Sequence, residues 1–574
     1  MEAKIFPDNI SEFDIDPSDT KKCLISGLFR EEVDMGGQKR SFYTYLTPGL
    51  HYNQSCLIIA PPDDMPVLEF VEKGFWQAFA EREQVFLHFL EPDGAWNLDG
   101  RDGDYMNRVY IQVQSRAYYV TMQDNIYGFG FGRGAAVAQQ AAMKMTSEWS
   151  GLATFGDLGK EALLNAALSH KSESMGAAEL AVSGSKAPLP VWMVWKENRG
   201  DNEAVCSYWK KQNDAWGEPY SGGGADEIYF PSDVRRKSEV NEEKIAQVRV
   251  TNGYTGELRE ALFNKVWAYV GKARRHRCFG TKALRNYKDP KAYGATLHTM
   301  EIGGLTRRWY EYVPKSVAET GEKAPLVLNM HGRGGSAESF MDLSGMSCVA
   351  EERGFIVLFP EAGVHQQHPK GIRNVLVWSG VYKGEKIDDT AFLLAMIEDV
   401  KSRYSIDETR IYASGQSSGG MMTSRLAVEA PRVFAAVSPW SGVVSPGPGV
   451  PLPETMDSQV PYLFLFGEND WLCVDKEKGI MEYRAAENVG RFLEKLMELY
   501  RLDRVPKRYR CGEITYYVYL NSDKIPMLTV GTIKNMSHAN YPRESWIAYD
   551  EFFAKFSKEA DGTLLYMGEK VPSI

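Results

Sequence analysis

Apolar runs of about five residues alternate with longer stretches of helical periodicity along most of the chain. Cys56-Leu57-Ile58-Ile59-Ala60 stops at Pro61-Pro62, and Val85-Phe86-Leu87-His88-Phe89 and Val191-Trp192-Met193-Val194-Trp195 have the same character. Leu326-Val327-Leu328-Asn329-Met330, Phe355-Ile356-Val357-Leu358-Phe359 and Tyr462-Leu463-Phe464-Leu465-Phe466 repeat it further on. Runs this short and this continuously apolar predict strands buried on both faces. Between them, helices are predicted over Leu68–Arg82, after Ala136 to about Thr146, and over Leu258–Arg275, Ser344–Arg353, Thr390–Tyr404, Met421–Ala430, Arg484–Tyr500 and Ser545–Phe556. Strands alternating with helices imply a mostly parallel sheet flanked by helices, the α/β class.

The order of elements occurs twice. An alternating strand (Ser41 to Leu46) ending at Pro48 is matched by Arg308 to Val313 ending at Pro314, and each is followed by an apolar strand, a helix and another apolar strand. This predicts a long internal repeat of about 270 to 285 residues. Two tandem domains are expected, residues 1–285 and 286–574, with a linker between Gly280 and Thr299 that contains Pro290.

The 574 residues are 44% hydrophobic and 25% charged, enough apolar material for large cores. A net charge of −10 argues against broad nucleic-acid binding, which needs a basic surface. The one basic cluster, Lys272-Ala273-Arg274-Arg275-His276-Arg277, is read as the polar face of a helix. No apolar run approaches the roughly 20 residues of a membrane span, and the N-terminus has no apolar leader. Seven scattered cysteines without a C-x-x-C pair suit free thiols in a reducing compartment, so a cytoplasmic protein is expected. No metal-ligand cluster and no cofactor motif stand out. Gly130, Gly132 and Ala135 meet the dinucleotide fingerprint only superficially.

The stretch with the most chemistry is Ile411-Tyr412-Ala413-Ser414-Gly415-Gln416-Ser417-Ser418-Gly419-Gly420. It reads as a strand, a sharp turn and a helix start, and residues 415–419 fit the G-x-S-x-G nucleophile elbow. The glycines let strand and helix approach while Ser417 is pushed out at the top of the sheet. A serine hydroxyl needs a base within hydrogen-bond reach, and the base needs an orienting carboxylate. In α/β-hydrolases these follow the serine in the order acid, histidine. Of nine histidines only His538 lies C-terminal to Ser417. Asp470 is the preferred acid, because it follows the strand Tyr462–Phe466 on a loop at the carboxyl edge of the sheet; Glu468 and then Asp475 are the rivals. Oxyanion donors are expected from the backbone N–H of Ser418 and from the loop His331-Gly332-Arg333-Gly334-Gly335, with Arg333 favoured and Gly332 or Gly334 as alternatives. His331 is read as a structural hydrogen-bonder. Laid on the elbow, the first half puts Gly132 at Ser417, Arg199 at Asp470 and roughly Tyr254 at His538. It is therefore expected to carry the fold without the chemistry, as a pseudo-hydrolase domain.

From Leu305 to about Phe556 the chain resembles the polyhydroxybutyrate depolymerase-like esterases, which include feruloyl and acetylxylan esterases. The matching stretches are 304–310 (Gly-Leu-Thr-Arg-Arg-Trp-Tyr), the His331–Gly335 loop, Asp388 to Phe392, Ser405 to Tyr412, the elbow, and Phe434 to Val437. The resemblance implies an α/β-hydrolase that cleaves esters through an acyl-serine, with Ser417 as nucleophile, Asp470 as acid and His538 as base. Members are often secreted and disulfide-bonded, and the place of Arg333 is commonly a cysteine or small residue. Trp378, Trp440 and Trp471 neighbour these segments in sequence and are candidates for an aromatic wall around a small or oligomeric ester substrate. Two rival readings stand: a serine peptidase of the prolyl-oligopeptidase type, and a non-catalytic binding or scaffold protein. The first half is a candidate cap over the site or a homo-oligomer contact.

Overall fold

The computed structural model describes residues 3–6, 25–49, 54–114, 121, 123–168, 187–232, 244–276, 283–367, 374–382, 385–442, 458–471, 473 and 487–572. The chain forms two compact units that meet in sequence between Tyr287 and Lys288.

The first unit is built on an eleven-stranded sheet: β1 (Lys4–Ile5), β2 (Gly27–Asp34), β3 (Lys39–Leu46), β4 (Cys56–Ala60), β5 (Phe86–Leu90), β6 (Ile126–Phe131), β7 (Gly151–Phe155), β8 (Val191–Val194), β9 (Tyr220–Gly222), β10 (Ala225–Tyr229) and β11 (Val248–Thr251), in the spatial order β1-β2-β3-β5-β4-β6-β7-β8-β11-β10-β9. A hairpin of β12 (Ala273–Arg275) and β13 (Leu284–Asn286) follows. The strands from β5 to β11 in that order are parallel, and antiparallel strands flank them on both sides. Successive side chains of a strand point to opposite faces. Accordingly Cys56, Ile58 and Ala60 of β4 enter one apolar core, and Leu57 and Ile59 enter the other.

The second unit contains β14 (Thr296–Ile302), β15 (Leu305–Tyr312), β16 (Ala324–Met330), β17 (Ile356–Pro360), β22 (Ile406–Gln416), β23 (Ala436–Trp440), β24 (Tyr462–Gly467), β25 (Lys507–Cys511), β26 (Ile514–Leu520) and β27 (Pro526–Ile533). Two two-stranded sheets, β18 (Val364–Gln367) with β19 (Asn374–Val377) and β20 (Val381–Tyr382) with β21 (Glu385–Lys386), intervene in sequence. The sheet order is β14-β15-β17-β16-β22-β23-β24-β27-β26-β25. Counted from β2 in one unit and β14 in the other, both sheets run 1-2-4-3-5-6-7-10-9-8. The parallel and antiparallel senses agree as well.

The likeness reaches side chains. In the second unit Arg307 of β15 donates to Asp389 at the start of the helix Asp389–Arg403 (2.7 Å) and to Glu361 O (3.2 Å), and lies 4.0 Å over the Phe392 ring. In the first, Arg40 of β3 donates to Asp102 at the start of the helix Arg101–Val113 (2.7 Å) and to Glu91 O (2.9 Å), and lies 4.0 Å over the Tyr105 ring. Each clamp ties the strand second in sheet order to the helix that precedes the elbow strand.

Several sequence expectations are corrected. The basic cluster is not a helix face: the preceding helix ends at Val270 and Ala273–Arg275 is a strand. Arg275 is fully buried and donates to Trp149 O (2.8 Å), Thr146 O (2.7 Å) and Pro188 O (2.6 Å), so three carbonyls replace its hydration. The helix expected over Ser344–Arg353 is present as Met346–Arg353, and a further helix, Ala337–Ser344, precedes it across Gly345 with φ +67°. The final helix expected over Ser545–Phe556 is a π-helical turn over Ile547–Phe552 between short α and 3₁₀ turns. Strands β25 to β27 were not anticipated.

Candidate active site

β22 ends at Gln416 and the next helix begins at Ser418, so Ser417 is the whole turn. Its φ of 54° and ψ of −117° are strained for a residue with a Cβ. The surroundings hold it there. Its N–H donates to Trp440 O of β23 (2.9 Å), and its carbonyl accepts from Met421 N (3.0 Å). The approach of strand and helix explains the two glycines. A Cβ on Gly415 would lie 2.7 Å from Gly419 C, and one on Gly419 would lie 2.3 Å from Met330 O.

Ser417 Oγ is 2.9 Å from His538 Nε2, and His538 Nδ1 is 3.1 Å from both Oδ1 and Oδ2 of Asp470. The Asp470 side chain is fully buried and that of His538 is 18% exposed. An ionised carboxylate only accepts, so Nδ1 carries the ring proton and Nε2 presents its lone pair to the hydroxyl. The two loops that bear the acid and the imidazole brace each other. Asn469 N donates to Met536 O (2.8 Å), and Ser441 Oγ, just after β23, adds a bond to Ala539 O of the histidine loop (3.0 Å). Gly467 has no alternative there, since a Cβ would lie 2.1 Å from Met536 O. Glu468, the rival acid, instead accepts from Asn535 N (2.8 Å) and secures the histidine loop. Asp475 lies outside the described residues.

The loop after β16 runs beside the serine: a Cβ on Gly332 would be 3.3 Å from Ser417 Cβ. His331 is buried beneath it, with Nε2 accepting from Ala362 N (3.1 Å) and Nδ1 donating to Gly332 O (2.7 Å). Burial also lowers its pKa, so it is a neutral brace. Gly334 N donates to Leu376 O and Gly335 N to Gly332 O, both at 3.0 Å, which removes Gly334 from the candidate oxyanion donors. Arg333 is exposed on this loop, and Ser418 opens the helix next to Ser417.

The three tryptophans separate. Trp440 is fully buried, its indole N–H donating to Ser438 Oγ (2.9 Å). Trp378 is 7% exposed and donates to His331 O (2.8 Å). Both belong to the framework, against the expected aromatic wall. Trp471 is 67% exposed with its ring centroid 5.8 Å from that of His538.

Sequence reasoning missed Glu544, on the segment after the histidine loop. It is 2% exposed, accepts from Asn540 Nδ2 (3.2 Å), and burial, aided by the Asp470 charge, pushes its carboxyl up to about 8. It also missed the Arg307–Asp389 clamp, though both residues stand in stretches that carry the family likeness.

The first unit keeps the turn and not the groups. Gly132 has φ +55°, and its N–H donates to Phe155 O of β7 (2.8 Å), as Ser417 N does to Trp440 O. Pro61-Pro62 stands where His331-Gly332 stands, and proline has no N–H to offer an oxyanion. Arg199 is exposed and paired with Glu197. Tyr254 follows β11 by three residues, whereas His538 follows β27 by five, and it packs toward Phe155 in an apolar core.

Among the described residues no group of three or more His, Cys, Asp or Glu is placed to hold a metal ion, and no helix is long and apolar enough to cross a membrane.

The strand order, the strained serine turn and the carboxylate and imidazole on later loops define the second unit as an α/β-hydrolase-type fold with a serine–histidine–aspartate cluster. Residues 309–450 match the family described as esterase PHB depolymerase. Feruloyl esterase B of Neurospora crassa is 32% identical over 141 residues, which cover 24% of this chain and 44% of that protein. Poly(3-hydroxyalkanoate) depolymerase C of Paucimonas lemoignei is 28% identical over 136 residues, 23% of this chain and 30% of that protein. The chain thus spans less than half the length of these curated relatives. Among solved structures, an acetyl xylan esterase from Aspergillus awamori is similar at 17% identity with a TM-score of 0.32, covering 45% of this chain and 99% of that one.

Proposed function

We propose that the second unit is a serine esterase and that the first is its non-catalytic counterpart. The observation that carries this reading is the continuous chain from Ser417 Oγ through His538 (2.9 Å) to Asp470 (3.1 Å), with the hydroxyl on a strained turn at the sheet edge. His538 Nε2 takes the hydroxyl proton as Oγ attacks the ester carbonyl, and Asp470 stabilises the imidazolium. The negative oxygen is held by the N–H groups of Ser418 and Arg333, each such donor lowering the barrier by roughly 3 to 4 kcal/mol. The intermediate collapses as His538 returns the proton to the leaving alcohol. Water, deprotonated by His538 in turn, then releases the acid from the acyl-serine. In the first unit Gly132 offers no hydroxyl to begin these steps.

The relatives named above bring feruloyl and hydroxyalkanoate esters to this chain as classes to test. Trp471, open beside the imidazole, offers an apolar face to either. Hydrolysis of p-nitrophenyl acetate, and its loss in Ser417→Ala with the fold intact, tests the proposal. Turnover near the wild-type rate in that variant refutes it.

A further inference from the structure

Gln416 is the last residue of β22 and immediately precedes the serine. It is half-buried, and its amide lies across the loop after β16: a Cβ on Gly332 would fall 2.2 Å from Gln416 Oε1. The missing side chain of Gly332 is therefore the space the amide occupies. Several side chains of the neighbouring strand ends are committed within the protein. Trp378 donates to His331 O, Asn329 to Ser414 Oγ (2.8 Å) and Ser441 to Ala539 O. Gln416 has no side-chain hydrogen bond among the described residues, and its polar atoms are not sealed from solvent. A primary amide offers two N–H donors and a carbonyl acceptor. With Oε1 turned against Gly332, the NH₂ arm keeps its two donors unused among the described residues. The first unit sharpens the point. Its residue at this place is Phe131, 2% exposed and stacked on Phe155 at 4.9 Å, so the sheet edge itself does not call for an amide.

Building on the reading of Ser417 as nucleophile, we propose that Gln416 is a substrate-binding residue whose amide donates a hydrogen bond to a second substrate oxygen near the scissile carbonyl. The site then favours esters with a hydroxyl or ether oxygen within reach over esters with a methylene in the same place. A purely structural Gln416, propping the loop, predicts no such preference.

The oxygen can sit on either side of the scissile bond, and two pairs of near-isosteric substrates separate the cases. On the acyl side, p-nitrophenyl methoxyacetate is compared with p-nitrophenyl butyrate; on the alcohol side, 2-methoxyethyl butyrate is compared with butyl butyrate. The readout is the ratio of kcat/KM within each pair, for the wild type, Gln416→Leu and Gln416→Met. Thermal unfolding verifies that each variant is folded, and two variants of similar volume guard against misfolding of one. General damage to the site affects both members of a pair and cancels. The expected result is a drop of about tenfold in the oxygen-to-methylene ratio of one pair, mainly through KM, as befits one lost hydrogen bond to a bound substrate. Ratios unmoved in both pairs, with hydrolysis retained, overturn the role of Gln416 alone. Failure of the wild type to hydrolyse any of the four esters overturns the reading of Ser417 and this proposal with it.

Discussion

Two regions of this molecule share a sheet order, a buried arginine–aspartate clamp and a left-handed residue at the same strand-to-helix turn. They differ in what stands on that scaffold. At the turn, one has Gly132 and the other Ser417; at the end of the strand that leads into it, one has Phe131 packed on Phe155 and the other a half-buried Gln416. On the later loops, an exposed Arg199 stands against a buried Asp470 held to His538. The lesson is that the strained turn belongs to the architecture. It is set by how closely helix and strand pack, since a Cβ on Gly134 would lie 2.4 Å from Ala60 O and one on Gly419 2.3 Å from Met330 O, and it persists whether or not a hydroxyl stands on it. The chemistry is a separate layer, added by side chains on loops.

The comparison breaks most sharply on a pair of substitutions. Ser417→Ala is expected to lower ester turnover on the order of 10⁴-fold or more, as for triad serines in general. Adding Gly132→Ser to that variant restores nothing, because among the described residues the first unit places Tyr254, and no imidazole, near the counterpart of His538. Recovery of turnover in the double variant contradicts the division of roles.

The clamps give the next largest effect. Arg307 and Asp389 have side chains 1% and 0% exposed, so Arg307→Met strands a buried carboxylate and is expected to cost about 3 to 5 kcal/mol. Arg40 and Asp102 are 15% and 3% exposed, so Arg40→Met is expected to cost less, because the guanidinium it removes is already partly solvated. Chemical denaturation of the two variants measures both; equal losses, or none, deny that the clamps differ as their burial does.

Glu544 supplies a smaller effect confined to the second unit. Its carboxyl is raised from 4.5 to about 8 in the folded state, chiefly by burial. The protonated form is the one the fold accepts, so this stabilisation is fully present below pH 4.5 and is lost as pH rises through 8. Glu544→Gln mimics the protonated acid. Its stability relative to wild type is expected to climb between pH 5 and 8, by no more than about 1.4 kcal/mol per pH unit, and to level above that. A pH-independent difference in thermal unfolding contradicts the assignment.

Much of this architecture was legible in the sequence for definite reasons. Central strands such as β4 and β16 are covered on both faces and must be continuously apolar, which is visible without coordinates. The elbow imprints glycine where a Cβ cannot fit, and a chain with one histidine after its candidate serine leaves little choice of base. What was not legible depends on contacts between distant segments. β25, Lys507–Cys511, is an edge strand exposed at every residue and shows no apolar period. Arg275 looks like surface charge until three carbonyls are found around it. Trp440 is next to the site in sequence, yet its ring turns inward against Phe340. Gln416 draws its interest from a gap left by Gly332, on another strand's loop.

Labelling with a fluorophosphonate probe, followed by peptide mapping of the intact chain, tests the central claim most directly. One adduct per chain, on Ser417, with none in residues 1–285 and none in Ser417→Ala, is the result this account predicts. An unlabelled Ser417 in folded protein, or an adduct on the first unit, contradicts it.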